Sequence, residues 1–529
     1  MKKIIFTTLN SKYIHVSSAP FYVASHYKKI YYNEKDIDIE VLYFTINEDL
    51  DLISKKILSY NPSLISFSVY IWNVEKTFFI CKKIKEYNEN IKIILGGPEV
   101  AFRSDKEKEE IIKSGIANEI STNEYDDNPN DACYLSFVKG RIAYFESQRG
   151  CPFNCAFCLS GRVSENKVFP LEETYKNIIT LAKAKPKIIK FVDRTFNSRE
   201  QHANNILNFI LENSGKTFPK DIQFHFEIAG DILKDSTFEI LKKMPKGLVQ
   251  VEIGLQTFNK KSLESINRKT NIEVLVKNIK KLLEYKNIHV HIDLIAGLPY
   301  ENIISFIESF NMAYSLKAHM IQFGFLKILY GSPLKELLDN ENKQTISLYY
   351  DKNAPYEVRE TKWIQKDFFD VFKYVEDSLD RLYNSHRFIN TLNYVFDNID
   401  YSPFMFFLNF GYKYNHSDYK EKNNLDDYTE FFYNFCLQYP NIKKSELRDN
   451  LVIDRLQSNR MGKLPQVLKI KDDKLSKIKK CIPIKKSVKQ AIAILYSKNQ
   501  YIYINYDEES FDSINKIYKV HYENLDDIK

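Results

Sequence analysis

Cys151-Pro152-Phe153-Asn154-Cys155-Ala156-Phe157-Cys158 packs three of the chain's seven cysteines into eight residues. Cys81, Cys133, Cys436 and Cys481 are scattered. A tight cysteine group in a chain that otherwise uses cysteine sparingly points to a metal or cluster site, not to a disulfide framework. The spacing is C-x3-C-x2-C, and no cysteine or histidine follows closely to complete a set of four. A structural zinc site takes four protein ligands, and this loop offers three. A 4Fe–4S cluster on three thiolates leaves one iron open to a small molecule.

The loop follows a predicted strand at 142–147. Further strands are predicted at 188–193, 222–228, 248–254, 290–296 and 321–328, separated by helical spacing at 171–183, 200–211, 236–243, 272–285 and 304–316. Six such repeats suit a partial (β/α)6 barrel, whose chemistry sits at the C-terminal ends of the strands. The cysteine loop lies on that face.

Upstream, residues 1–125 alternate apolar runs at 4–8, 37–44, 64–69 and 91–95 with helical patterns at 19–30, 50–59 and 74–87. This alternation predicts a doubly wound, parallel α/β domain. Ligands of such sheets bind beyond the carboxyl ends of the strands. Those ends are Thr8-Leu9-Asn10-Ser11, Ser66-Phe67-Ser68-Val69-Tyr70 and Gly96-Gly97-Pro98-Glu99. Gly96-Gly97 lets a backbone approach a ligand, or makes a tight turn with no ligand at all.

At 529 residues, with 44% hydrophobic and 14% aromatic residues, the chain can bury several cores, and two to four domains are expected. Met1-Lys2-Lys3-Ile4-Ile5-Phe6 is basic then apolar, but Asn10, Ser11 and Lys12 interrupt it too early for a signal peptide. No apolar run reaches about 18 residues, so no membrane-spanning helix or membrane partner is expected. A cytoplasmic protein with reduced thiols follows. The net charge of +7 is too small to mark a nucleic-acid binder.

The cysteine spacing after a first barrel strand resembles the radical S-adenosylmethionine (SAM) superfamily. The resemblance implies that Cys151, Cys155 and Cys158 carry a 4Fe–4S cluster. Its open iron chelates SAM, and one electron breaks a C–S bond to give a 5′-deoxyadenosyl radical. Phe157 holds the family's aromatic position before the last cysteine and is expected against the adenine. Asp193 or Thr195 stands where many members have a Gly-Gly-Glu turn on the methionine amine. Glu227 is expected on the ribose hydroxyls, and Gln256 on the ribose or the methionine carboxylate. The family pattern G-x-I-x-G-x-x-E is met at Ile295 and Gly297, but Asp293 replaces its first glycine and Glu301 falls one residue late. Each of these polar residues also fits an ordinary hydrogen bond at a barrel mouth.

The N-terminal loops Asn10–His15, Ser68–Asn73 and Gly96–Glu99 look like the cobalamin-binding domain that precedes some radical SAM domains. The resemblance implies that Asn10, His15, Ser68, Tyr70, Gly96, Gly97, Pro98 and Glu99 border a corrinoid. The D-x-H-x-x-G pattern of cobalamin mutases is absent, since Tyr13 and Ser18 stand at its outer positions. His15 is therefore read as a polar loop residue, not as a cobalt ligand. A Gly-Glu-Gly-Glu turn usual in related chains is replaced by Ile120-Ser121-Thr122-Asn123-Glu124.

The expected layout is a Rossmann/flavodoxin-like cobalamin domain (1–125), a linker (126–140), a radical SAM barrel (141–333) and a mainly helical C-terminal domain with a small hairpin (334–529). In that last region, helices are expected over 362–396, 426–438 and 444–457, and a hairpin over 491–506. Trp363, Phe368, Phe369, Phe372, Tyr374 and Tyr383 read as helix-packing core. The basic stretch 460–489 reads as a solvated face, with phosphate-bearing partners as the other reading.

The resemblance implies methyl transfer to an unactivated carbon of a small molecule or peptide, with electrons from a low-potential donor such as flavodoxin or ferredoxin. Rearrangement or ring formation without methylation is a second enzyme class, and a cobalamin or redox sensor a non-enzymatic one. Methylthiotransfer requires three further cysteines in the N-terminal domain, and only Cys81 and Cys133 precede the loop.

Overall fold

The first stretch of chain forms β1 (Lys2–Asn10), β2 (His15–Val16), α1 (Ala19–Ile30), β3 (Ile37–Thr45), α2 (Leu50–Leu58), β4 (Leu64–Ser68), α3 (Val74–Tyr87), β5 (Lys92–Gly96), α4 (Pro98–Ala101), α5 (Asp105–Lys113) and β6 (Glu119–Ile120). These coordinates are a computed structural model and describe residues 2–34, 36–125, 132–162, 167–340, 346–422, 424–482 and 488–527. Part of the expected linker (126–131) and of the basic stretch (483–487) lies outside the described residues.

Five strands pair in the order β3-β1-β4-β5-β6, all parallel. Ile53 and Ile57 of α2 and Ile80, Cys81 and Ile84 of α3 bury against Ile65, Phe67, Ile93 and Leu95 of the sheet. Fully burying one such aliphatic side chain contributes about 1.5–3 kcal/mol, so this face alone explains why the layer forms. Helix starts are capped: Asp49 accepts from Leu52 N, and Ser104 with Glu107 makes a capping box.

The second sheet follows α6 (Ala132–Val138). It uses β7 (Ile142–Phe145), then, beyond a small ribbon of β8 (Gln148–Arg149) and β9 (Lys167–Val168), β10 (Ile188–Phe191), β11 (Gln223–Ile228), β12 (Val249–Gln256), β13 (His289–Ala296) and β14 (Met320–Phe325). Helices α7 (Leu171–Lys183), α8 (Glu200–Asn213), α9 (Asp235–Lys242), α10 (Lys260–Ser265), α11 (Ile272–Glu284) and α12 (Ile303–Ser315) connect them. The order is β14-β13-β12-β11-β10-β7-β2, every pair parallel. The six expected strands are present, and β2 adds a seventh from the N-terminal region. Tyr43 O–H donates to the carbonyls of Tyr13 and His15 and holds that segment in place.

Alternation gives this open arc two faces. Phe226, Ile228 and Val251 pack outward against Ala203 and Leu207 of α8. The opposite, inner face carries Tyr144, Lys190, His225, Glu227, Glu252, His291 and Asp293, so the lumen is polar at mid-height.

The C-terminal region adds α13 (Pro333–Asp339), β15 (Leu348–Tyr350), β16 (Val358–Thr361), α14 (Lys366–Leu379), α15 (Ile389–Asn398), α16 (Pro403–Asn415), α17 (Leu425–Cys436), α18 (Lys444–Ser458), α19 (Lys474–Cys481), β17 (Gln490–Leu495), β18 (Gln500–Asn505), β19 (Phe511–Asp512), β20 (Ile517–Tyr518) and β21 (His521–Asn524). The predicted helical stretch 362–396 splits into α14 and α15 around a π-turn at Asp380–Asn384. The hairpin β17–β18 gains β21 as a third antiparallel strand. Phe369, Phe372 and Tyr383 are buried as helix-packing core, joined by Phe404, Phe406, Phe407 and Phe410 of α16. The segment around β19 and β20 caps the lower rim of the arc, where Lys246 Nζ meets Asp512 at 2.8 Å.

Candidate active site at the barrel mouth

Ser147, Gln148 and Arg149 carry the chain from β7 into the cysteine loop, and all three are pinned. Ser147 donates from N (2.8 Å) and from Oγ to the two oxygens of Asp193. Gln148 Nε2 donates to the carbonyls of Thr195 and Phe196 at 2.8 and 3.0 Å. Arg149 pairs with Glu146 at 2.7 Å. Within the loop, Ala156 N donates to Ile266 O at 2.8 Å, and Leu334 N donates to Ala156 O at 2.8 Å. The loop is thus tied to the segments after β12 and after β14, across the mouth of the arc.

Cys155 is buried, and Cys151 and Cys158 are half-exposed. Burial pushes the Cys155 thiol up, and the Arg268 guanidinium, 3.7 Å from its Sγ, works against that. Ser160 N donates to Cys158 Sγ at 3.4 Å, and Thr195 Oγ1 stands 3.3 Å from Cys151 Sγ. Among the described residues the one group whose ligand atoms all lie within 4.8 Å of each other is Glu252, His291 and Asp293. At least one pair of the three thiols is therefore further apart than that. Tetrahedral zinc would draw sulfurs to about 3.8 Å of one another, given its ~2.3 Å Zn–S bonds. Three thiols so spaced, backed by a guanidinium and a backbone N–H, fit a multi-iron cluster instead.

The other barrel residues expected on SAM divide into two sets. Thr195, Glu227, Gln256 and Phe157 stand at the mouth. At the end of β12 the pairing slips between Gly254 and Gln256, and Gln256 takes φ +69°. A bulge of this kind re-aims a side chain, and left-handed backbone outside glycine costs about 1–2 kcal/mol. Gln256 Oε1 is buried without a partner, an acceptor open to a ligand. Glu227 sits 3.4 Å from Lys190 Nζ. Phe157 packs partly against the core.

Asp193 is a correction to the sequence reading. It is fully buried with both oxygens on Ser147, and burial raises its carboxyl to about 7 despite those hydrogen bonds. It braces the cysteine loop from below and has no surface left for an amine. Gly297 is likewise explained within the protein: at φ +89°, a Cβ there would lie 3.0 Å from Phe369 of α14. Ile295, two residues earlier, is half-buried against the same core. Glu301, late in the family pattern, is fully buried; burial raises it to about 8, while hydrogen bonds from Thr257 and Ser309 oppose the rise.

Sequence reasoning missed the inner-face network. Glu252 Oε2 accepts from His225 Nε2 at 2.8 Å and Lys190 Nζ at 3.1 Å. Burial opposes ionisation of Glu252, but the His225 hydrogen bond and the Lys190 charge outweigh it and hold the carboxyl well below its usual range. The period-two recurrence of polar residues in β11, β12 and β13 was the available signal. Arg268 carried none, because its partner Cys155 is 113 residues away in sequence.

On the N-terminal side, several expected corrin contacts are consumed by the fold. Asn10 donates to Phe44 O at 3.2 Å and accepts from Ser17 N at 2.9 Å. Glu99 is buried, paired with Arg103 at 2.9 Å and accepting from Tyr356 O–H. Gly97 takes φ +96°, and a Cβ there would meet Val69 O at 2.5 Å, so the close approach of the chain leaving β4 accounts for it. Gly96 is not crowded, and Pro98 opens α4. His15 Nδ1 lies 2.6 Å from Tyr144 O–H, and burial lowers its pKa. Tyr70 stacks on Trp72 at 4.4 Å and 7°, beside Ser68, with its hydroxyl 3.2 Å from Ser17 Oγ. These aromatic and small residues stand at the strand ends of the first sheet, while β2 ties that region to the barrel edge.

Residues 145–313 match the family model of the Radical SAM superfamily, and residues 344–526 match that of a protein of unknown function, DUF4080. The cobalamin-dependent radical SAM methyltransferase TokK of Streptomyces tokunonensis is 23% identical over 304 residues, 46% of this chain and 44% of that protein. A tRNA-2-methylthio-N(6)-dimethylallyladenosine synthase of a Psychrobacter species is 24% identical over 220 residues, 39% of this chain and 44% of that protein. The chain spans about half the length of the curated relatives it matches. Among solved structures, the cobalamin-dependent S-adenosylmethionine radical enzyme OxsB, with aqua-cobalamin and S-adenosylmethionine bound, superimposes with a TM-score of 0.52 at 14% identity, over 92% of this chain and 82% of that one. No helix among the described residues is long and apolar enough to cross a membrane. The cysteine loop and the barrel that carries it, residues 145–313, thus match the radical SAM superfamily, and the chain as a whole is similar in fold to OxsB.

Proposed function

We propose that this protein is a cobalamin-dependent radical SAM methyltransferase acting on an unactivated carbon of a small molecule or peptide. The observation that carries the reading is the set of three thiols at the barrel mouth, beside a parallel α/β domain joined to the barrel edge through β2. When bound, a 4Fe–4S cluster supplies the electron that cleaves SAM to a 5′-deoxyadenosyl radical. When bound, cobalamin supplies a carrier for the methyl group.

The chain's own residues hold and orient these groups. Cys151, Cys155 and Cys158 ligate the cluster. Arg268 keeps a positive charge beside the Cys155 sulfur, which favours its thiolate form. Gln256 offers its unpaired Oε1 to a ribose hydroxyl. Thr195 lies beside the first cysteine, and Phe157 presents an aromatic face next to the last. On the other side Ser68, Tyr70, Trp72 and Pro98 line the strand ends where a corrin ring would lie. His15 is engaged with Tyr144, so Ser68, Tyr70, Trp72 and Pro98, and not His15, would hold a corrin by packing against it. The electron comes from a low-potential carrier such as flavodoxin or ferredoxin. Methylthiotransfer is disfavoured by Cys81, which is fully buried in the first domain's core and has only Cys133 as a companion before the loop.

The test is cobalt content. Protein reconstituted anaerobically with iron, sulfide and hydroxocobalamin, then desalted, should retain about one cobalt per chain, and Tyr70→Ala with Trp72→Ala should release it. A protein that emerges free of corrinoid contradicts the methyl-transfer reading.

A further inference from the structure

The inner face of the barrel holds a second donor set that the cysteine chemistry leaves unused. Glu252 of β12 and His291 and Asp293 of β13 bring one oxygen or nitrogen each to within 4.8 Å of one another. His291 is 4% exposed. Its Nε2 lies 3.1 Å from Asp293 Oδ1. The two pair at ion-pair distance, and among the described residues neither atom has another partner. A ring nitrogen and a carboxylate oxygen side by side at this distance have the spacing of two ligands of one ion: bonds of about 2.1 Å at a right angle put donors roughly 3.0 Å apart.

Glu252 completes the set. Its two hydrogen bonds, from Lys190 and His225, both go to Oε2. Among the described residues Oε1 accepts none, so it is available to an ion held between Glu252, Asp293 and one nitrogen of His291. Charge points the same way. Glu227, Glu252 and Asp293 share this face with Lys190, while Arg194, the next cation, is 56% exposed and only 4.0 Å from Glu227. Among the described residues Lys190 is the one lysine paired with these carboxylates, and, although burial opposes it, Asp293 and Glu252 hold the His291 imidazole toward its protonated form. A dication that displaced that proton would keep the face balanced.

We propose that Glu252, His291 and Asp293 bind one divalent transition-metal ion in the barrel lumen, separate from the cysteine loop. Two carboxylates and an imidazole suit Mn²⁺, Fe²⁺ or Zn²⁺ better than a thiolate-seeking ion. Three protein donors leave positions open, and an oxygen of a substrate or a water fills them. The site does not depend on corrinoid binding or on SAM cleavage.

Mn²⁺ is the probe, because it is paramagnetic and prefers these donors to thiolates. Cluster-reconstituted full-length protein is titrated with Mn²⁺, and the free ion is read by electron paramagnetic resonance. The expected result is one ion per chain, with affinity falling at least about tenfold in His291→Ala and in the near-isosteric Asp293→Asn while iron content stays unchanged. If His291→Ala does not fold, Asp293→Asn alone decides. No uptake of Mn²⁺ up to about 1 mM, or uptake unaltered in Asp293→Asn, overturns the proposal.

Discussion

Glu301 carries a proton at neutral pH because the space between Thr257 and Ser309 excludes water and leaves its Oε2 without a partner. Its pKa rises from 4.5 to about 8, chiefly through burial. A raised folded-state pKa means that the native state holds a proton the unfolded chain has released. Stability contributed by this group is therefore complete below about 4.5 and declines as pH rises toward 8, by at most about 1.4 kcal/mol per pH unit. Glu301→Gln keeps the shape without the titration. Between pH 6 and 8 the melting temperature of the natural protein should fall relative to that of the variant, and parallel pH profiles would contradict this. The contrast with the cysteines shows what a sequence displays at this scale. Three thiols at fixed short spacing are visible because the chemistry demands those residue types in one loop. Asp193, Asn10 and Glu99 looked like ligand contacts because they stand at strand ends. The fold instead gives their oxygens and amides to Ser147, Ser17 and Arg103, partners that no local pattern reveals.

Helices and strands were largely legible because one buried face imposes a period on each of them. The period of 3.6 in α1, α3 and α7 and of two in β11 and β13 survives the lysine- and asparagine-rich composition. The exceptions have physical causes. β2 is two residues long and owes its existence to pairing of His15 and Val16 with Ile142 and Ala143, a long-range match with no periodic signature. Helix α16, which begins at Pro403, carries aromatics both on the face it buries in the C-terminal core and, at Tyr412, on its exposed face, so no clean period marks it. Its Gly411 faces α14, where a Cβ would stand 2.8 Å from the Tyr374 carbonyl carbon and 3.0 Å from its Cβ. Backbone cannot yield as a flexible side chain would. Gly411→Ala should therefore destabilise the protein by about 1–2 kcal/mol, overpacking outweighing the better helix propensity of alanine. A denaturation midpoint at or above that of the natural protein would show that the crossing has slack.

At the scale of the whole molecule, the three regions are fastened at specific points. β2 inserts the N-terminal region into the barrel sheet. Glu99 and Arg103 meet Tyr356 from beyond the barrel, and Arg103 lies over the Tyr330 ring at 4.3 Å. The segment around Asp512 closes the lower rim. The cysteine loop, Gln256 and Glu227 stand at the opposite rim, the mouth, which the fastenings of Glu99 and Arg103 to Tyr356 and Tyr330 adjoin. The order of regions was legible from alternation and spacing, but the fastenings were not, since each joins residues far apart in the chain. The central claim concerns what happens at that mouth. It is tested most directly by reducing the anaerobically reconstituted protein with dithionite in the presence of SAM and measuring 5′-deoxyadenosine, in the natural protein and in Cys155→Ala. The natural protein, with about four irons per chain, should form the nucleoside, and the variant should lose both the cluster and the product. Equal product from the two, or none from the iron-loaded natural protein, would contradict the account.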